Sequence, residues 1–118
     1  MWCPRVSNKI TISEDQATEL AEMFRLMGDY SRLRIMFACL LEPICVGDIA
    51  ARLKLSPSLV SHHLRLLRAA RVVKAERHGK QMFYSAADEH IRSVLIDMAH
   101  HVAEPVEHDA AVHAAAVA

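Results

Sequence analysis

The chain has no net charge, no CxxC pair, no HExxH and no long apolar run, and each absence removes a class of protein. Fourteen lysines and arginines balance fourteen aspartates and glutamates, so no global excess of positive charge points to a nucleic-acid partner. With 53 % hydrophobic and 24 % charged residues, gross disorder is excluded. No uninterrupted apolar stretch approaches the ~18 residues that suggest a membrane-spanning helix. The opening segment, MWCPRVSNKI, lacks the apolar centre of a secretory signal, which makes a cytoplasmic location the expectation. Cys3, Cys39 and Cys45 are odd in number and share no paired spacing, so reduced thiols are expected rather than a disulfide framework. No internal repeat is visible. What is present is a single domain of 118 residues with an excess of histidine: eight in all, with His90, His100, His101 and His108 close together near the end.

Helix starts and stops divide the chain. Residues 1–12 read as an N-terminal tail, 13–104 as the folded domain and the alanine-rich 105–118 as a flexible C-terminal tail. Ser13 and Gln16 have the spacing of a capping box, and the helix that follows runs to Gly28. Asp29 caps a second helix, YSRLRIMFACLL, which is apolar on most sides and is expected to continue until Pro43 stops it. A short third helix is VGDIAARL. After the turn KLSP, Ser56 as N-cap and Pro57 at the first helical position specify the start of a fourth. The period then changes: VVKAERHGKQMFYSA alternates as two strands around Gly79. A last helix runs from the cap Asp88 toward Pro105, with Ile91, Val94, Leu95, Met98 and Val102 on one apolar stripe. The predicted fold is mainly α with a β-hairpin wing, a winged helix-turn-helix, homodimeric, whose fourth helix enters a DNA major groove.

A helical wheel of the fourth helix puts Leu59, Val60, His63, Leu64, Leu66 and Leu67 on an inner arc, with His63 expected to be packed and hydrogen-bonded. Ser58, Ser61, His62, Arg65 and Arg68 face outward as candidate DNA contacts. Small hydroxyls suit close approach, and an arginine reaches a guanine edge or a phosphate. From residue 61 to 80 the chain carries Arg65, Arg68, Arg71, Lys74, Arg77 and Lys80 against the single acid Glu76. That local surplus is the electrostatic footprint of a DNA reader, with Arg77, His78 and Lys80 at the wing tip to grip phosphates or the minor groove.

The last helix raises a separate question. On its wheel His90, His101 and Glu104 lie at the edge of the apolar stripe, yet His90 and His101 are about 16 Å apart at 1.5 Å per residue. Metal–nitrogen bonds are about 2 Å long, so one helix cannot chelate with both ends. Two antiparallel copies can: Asp88 and His90 of one then meet His101 and Glu104 of the other, giving two four-ligand sites across a two-fold seam. Nitrogen and oxygen donors in that number suit Zn(II) and admit Co(II). The alternative, a solvated helix face, stays open at this level. Asp97 lies on the ligand face and His100 points away from it.

The wording of several segments resembles the ArsR/SmtB metal-responsive repressors: RLRIMFACL, ICVGDIAARLKLSPSLVSHHLRLLRAARVV and RHGKQMFYS, across residues 14–104. The chain departs from the family pattern at DYS, where Asp-Pro-Thr is usual, and at Arg71, where glycine is common. The resemblance implies a dimeric winged-helix protein that binds an imperfect inverted repeat as the apo form and leaves DNA when metal binds. It implies metal ligands Asp88, His90, His101 and Glu104, which match the D-x-H and H-x-x-E pattern of zinc-sensing members. Ni(II) or Co(II) sensing remains an alternative, with His108 and the N-terminus as extra donors, and Cd(II) is a further possible effector. A second family site uses two cysteines at the third helix; here the motif is Cys45-Val46-Gly47-Asp48, with one thiolate missing. Cys3 of the other copy would complete a site with Cys45 and Asp48, or else Cys45 is a small packed residue.

Three other functions compete. A thiol-switch regulator of the same fold requires a second cysteine near Cys39, and the last helix has none. A zinc hydrolase requires HExxH or an open coordination position, and a four-ligand site leaves none, so no catalytic residues are assigned and the chain is not expected to be an enzyme. A dimerisation module without sensing is the third.

Overall fold

Four capping side chains set the helix starts in the computed structural model, which describes residues 10–106. Ser13 Oγ accepts from the Gln16 N–H (3.1 Å) while Gln16 returns the bond to Ser13 (2.9 Å). Asp29 accepts from Arg32 N–H (3.0 Å), Ser56 from Leu59 N–H (3.1 Å) and Asp88 from Ile91 N–H (3.1 Å). Each such cap stabilises its helix by about 1 kcal/mol. The resulting elements are α1 (Glu14–Met27), α2 (Tyr30–Ala38), β1 (Ile44–Cys45), α3 (Val46–Leu53), α4 (Pro57–Ala69), β2 (Val73–His78), β3 (Gln81–Ala86) and α5 (Glu89–Ala103). The expected tails at 1–12 and 105–118 fall mostly outside the described residues, as do Cys3 and His108.

Two features differ from the expectation. Helix α2 ends at Ala38, well before Pro43, because the carbonyls beyond it are taken by other elements. Cys39 C=O accepts from Ala86 N–H (3.3 Å) and Leu40 C=O from Arg92 Nε (2.9 Å), which draws the chain out of the helix. The segment then forms a third strand, β1, too short to show a period. The sheet order is β1-β3-β2, all antiparallel, with Ile44 opposite Tyr84 and Cys45 opposite Phe83. The wing proper pairs Val73 with Ala86 through to His78 with Gln81, leaving the two-residue turn Gly79–Lys80. Gly79 takes φ +66°, a conformation that costs glycine nothing.

The core gathers around α2. Ile35, Met36 and Cys39 are fully buried, together with Ile49 of α3, Val60 and Leu67 of α4, Val72 and Ala86. Cys39 donates its thiol to Ile35 C=O (3.3 Å), and burial pushes that thiol up to about 11, so it stays protonated and inert. His63 is also buried on the inner side of α4, as expected. The expected hydrogen bond is not found among the described residues: its Nδ1 lies out of solvent with no partner. Burial lowers its pKa, reinforced by the Arg32 guanidinium and by His62 and opposed by Asp29.

The C-terminus of α4 is closed by Arg71 at φ +65°. Val72 N–H reaches back to Leu67 C=O (3.1 Å) and Arg71 N–H to Arg68 C=O (3.0 Å), the hydrogen-bond pair of a Schellman stop. Glycine usually fills this position because a side chain in the left-handed region is strained. Arg71 is held there by an ion pair with Glu19 of α1.

Two predictions follow from these residues. Arg71→Ala loses the ion pair and keeps the strained backbone, whereas Arg71→Gly loses both, so the glycine variant should be the more stable of the two by about 1 kcal/mol in urea unfolding. Equal midpoints would mean that the turn carries no strain. His63 has a folded pKa below the 6.5 of a free imidazole, so its contribution is intact above pH 6.5 and is lost as pH falls toward the folded value. His63→Gln should therefore flatten the decline in stability between pH 7.5 and 5, measured by urea titration. A slope equal to that of the wild type would remove His63 as its source.

Candidate functional site

Helix α3 ends on Lys54 at φ 59°, with Lys54 N–H and Leu55 N–H both bonded to Ala50 C=O, and Ser56 immediately opens α4. This tight reversal makes α3 and α4 a helix-turn-helix pair. Val60, His63, Leu64 and Leu67 are buried on the inner side of α4. Leu59, expected on that arc, is 39 % exposed because it lies in the first turn, beyond the edge of the core. Ser58, His62, Arg65 and Arg68 are exposed and Ser61 is half-buried, so the candidate DNA residues share one outward face.

Between α4 and the wing runs an open groove of about 610 Å³ lined by Ser61, Leu64, Arg65, Arg68, Ala69 and Tyr84. Tyr84 was not anticipated as part of this face, although its pairing with Ala75 on the hairpin carries it there. Arg77 and Lys80 are exposed on the wing, and His78 packs edge-on to Phe83 (5.3 Å between centroids) with Glu76 3.6 Å from its Nε2. Arg71 belongs to the basic segment in sequence only; its guanidinium is neutralised by Glu19. The remaining positive charge is concentrated on α4 and the wing.

Helix α5 presents the other candidate site. Asp88 is its N-cap, and one carboxylate oxygen, Oδ1, accepts the Ile91 N–H. His90, His101 and Glu104 are exposed. Among the described residues, no three histidine, cysteine, aspartate or glutamate side chains come together in one chain to hold a metal. Asp88 and His90 stand at the start of α5, and His101 and Glu104 at its end. Of the apolar stripe, Leu95 is buried and Ile91 half-buried, whereas Met98 is 54 % and Val102 78 % exposed. With Phe24 and Met27 of α1 and Leu33 and Phe37 of α2, the stripe lines an open apolar groove of about 510 Å³.

The possible cysteine site is less complete. Cys45 is half-buried at the start of α3, where its side chain makes no capping bond, and Asp48 is exposed in the first turn. Cys3, the third donor considered, lies outside the described residues. Cys39, buried and protonated, offers nothing to a thiol switch. No helix among the described residues is long and apolar enough to cross a membrane.

Comparison with known proteins agrees with this geometry. The model for bacterial regulatory proteins of the arsR family matches residues 29–75, from the α2 cap into β2. Over 93 residues the chain is 45 % identical to the transcriptional repressor SmtB homolog of a Synechocystis species, covering 79 % of this chain and 70 % of that one. It is 32 % identical over 88 residues to the cadmium resistance transcriptional regulatory protein CadC homolog of Staphylococcus aureus, covering 74 % and 73 %. Its backbone is similar to that of a homodimeric winged helix-turn-helix DNA-binding domain from Mycobacterium bovis, with a TM-score of 0.71 at 21 % identity over 85 % of this chain and 95 % of that one. The fold, the helix-turn-helix stretch and the relatives agree: this chain belongs to the ArsR family, a family of winged-helix transcriptional regulators and not of enzymes.

Proposed function

We propose that the protein is a zinc-responsive repressor: a homodimer that holds an imperfect inverted repeat in its metal-free form and releases it when zinc joins the two α5 helices. The observation that carries this reading is the division of one donor set between the two ends of α5, beside an apolar face that the single chain leaves uncovered. Antiparallel pairing of two α5 helices covers the face and brings Asp88 and His90 of one copy to His101 and Glu104 of the other. The Synechocystis relative is named a transcriptional repressor, which supports the direction of control. The Staphylococcus relative is named for cadmium resistance, so Cd(II), with Co(II) and Ni(II), competes with zinc as effector.

Bound zinc supplies a cross-link of tetrahedral preference with bonds of about 2 Å. The chain supplies everything else. Asp88 stands two residues beyond the end of β3, so its position is tied to the wing. His101 lies in the last turn of α5, where one ring nitrogen serves as ligand and the other is available to an acceptor that fixes its orientation. Holding these groups together selects one separation of the two recognition helices, and the apo dimer adopts the one that fits DNA. The coupling is reciprocal: DNA weakens zinc binding by the factor by which zinc weakens DNA binding.

Two measurements test the reading, using a duplex selected by the wild-type protein from a random-sequence pool. His101→Ala should bind that duplex as the wild type does and stay bound at zinc concentrations that release the wild type. Unchanged zinc dependence would remove α5 from the sensor. Arg65→Ala should weaken binding to the selected duplex by about 1–3 kcal/mol, while Lys80→Ala weakens selected and unrelated duplexes alike. Full affinity after removal of Arg65 would show that α4 is not the reading helix.

A further inference from the structure

Helix α5 is fastened to the domain through its first half, where Leu95 is buried and Ile91 and Ile96 pack against the core. Ala86 N–H bonds to Cys39 C=O (3.3 Å) and Ala87 N–H to Val72 C=O (3.0 Å) just before it begins. Within the helix, Arg92 Nε donates to Leu40 C=O (2.9 Å), and Arg92 NH1 pairs with Glu89 Oε1 at 2.7 Å. The other oxygen of Glu89 accepts from Ser93 Oγ (3.3 Å). From Asp97 onward every described residue of α5 is exposed. Arg92 itself is partly covered, its side chain 27 % exposed, and it is the only side chain of α5 whose described hydrogen bonds reach another element.

The acceptor is what gives this bond its reach. Leu40 is 3 % exposed and lies just past the end of α2, where its carbonyl has no helical N–H to receive. Helix α2 packs against α3 and α4, and the groups at its other end, Asp29 and Arg32, are those that act on His63 of α4. One guanidinium therefore links the helix bearing His90, two residues away, to a nine-residue rod that ends beside the recognition helix. Arginine suits the task because its planar fork donates in two directions at once, to Leu40 and to Glu89; a lysine ammonium on a flexible stem lacks that fixed geometry.

We propose that Arg92 is the joint through which α5 and α2 move together, a positioning residue that passes the setting of α5 to the DNA-binding helix. This rests on the regulatory reading above. The Arg92 side chain bonds to neither the proposed metal ligands nor the DNA face, and its backbone N–H meets Asp88 only at the main-chain carbonyl (3.2 Å), a bond that any substitution tested here keeps. Its loss therefore leaves both binding events in place and affects the coupling between them. The backbone bonds of Ala86 and Ala87 survive its substitution, so α5 stays attached but is no longer steered from within.

The test uses the full-length dimer, wild type, Arg92→Gln and Arg92→Lys, with zinc chloride and the selected duplex. Hydrogen exchange on the metal-free, DNA-free protein should show faster exchange across the first turns of α5 and at residues 39–41 in Arg92→Gln. Zinc affinity of the free protein and duplex affinity of the apo protein should each stay within about threefold of wild type, while the factor by which zinc weakens DNA binding should fall about tenfold. Arg92→Lys, with a similar aliphatic stem and the same charge, should fall between the two and serves if the glutamine variant folds poorly. A responsive wild type with unchanged coupling in both variants would overturn the joint alone. A wild type whose duplex affinity ignores zinc would overturn the regulatory reading and the joint with it.

Discussion

Burial of α2 is the condition on which the other elements depend. A nine-residue helix is too short to persist in water on propensity, so it exists because its neighbours enclose it. In return it provides the fully buried Ile35, Met36 and Cys39, around which α1, α3 and α4 are arranged. Its early end matters as much as its apolar sides. Stopping at Ala38 leaves two carbonyls in succession without helical partners, and the protein satisfies them from two different elements, the end of β3 and the side chain of Arg92. The wing and α5 are thus both tied to the same short piece of backbone.

The electrostatics follow from where charge is placed rather than how much there is. A chain with equal numbers of acids and bases still gathers Arg65, Arg68, Lys74, Arg77 and Lys80 on α4 and the wing, so local positive charge there does not need a net charge overall. Arg71, which would have added to that face, turns instead toward Glu19 and holds the end of α4 to α1. Most acids lie on other segments, with Glu76 the single one between residues 61 and 80, so a polyanion meets a local surplus of positive charge on a protein that is neutral as a whole.

Much of this was legible because it is written in local chemistry. Ser13, Asp29, Ser56 and Asp88 each announce a helix by offering an oxygen to an N–H a few residues on, and Gly79 announces the wing turn. What escaped was non-local. Strand β1 consists of Ile44 and Cys45 alone, with no period to detect, and exists only because β3 presents Phe83 and Tyr84 to it. The end of α2 was misplaced because its cause lies at Ala86 and Arg92, some fifty residues away. His63 was placed correctly, but whether its Nδ1 finds an acceptor depends on which atoms arrive from α2. At the candidate metal site the donor types and spacing were readable. That one chain brings no three of them together, among the described residues, agrees with the spacing of His90 and His101 along one helix.

The small strand β1 has a geometric effect beyond its size. Cys45, the residue that opens α3, is paired with Phe83 of the wing, so the helix-turn-helix and the hairpin are stitched into one sheet edge. This pairing joins the hairpin to the start of α3 by backbone hydrogen bonds. Each half of a dimer would then meet the duplex as one stiff body, leaving the relative rotation of the two halves as the main adjustable quantity. On the inverted repeat proposed above, such a reader would judge phase as well as letters: about five base pairs inserted between the half-sites, half a helical turn, would put the second half-site on the far side of the duplex.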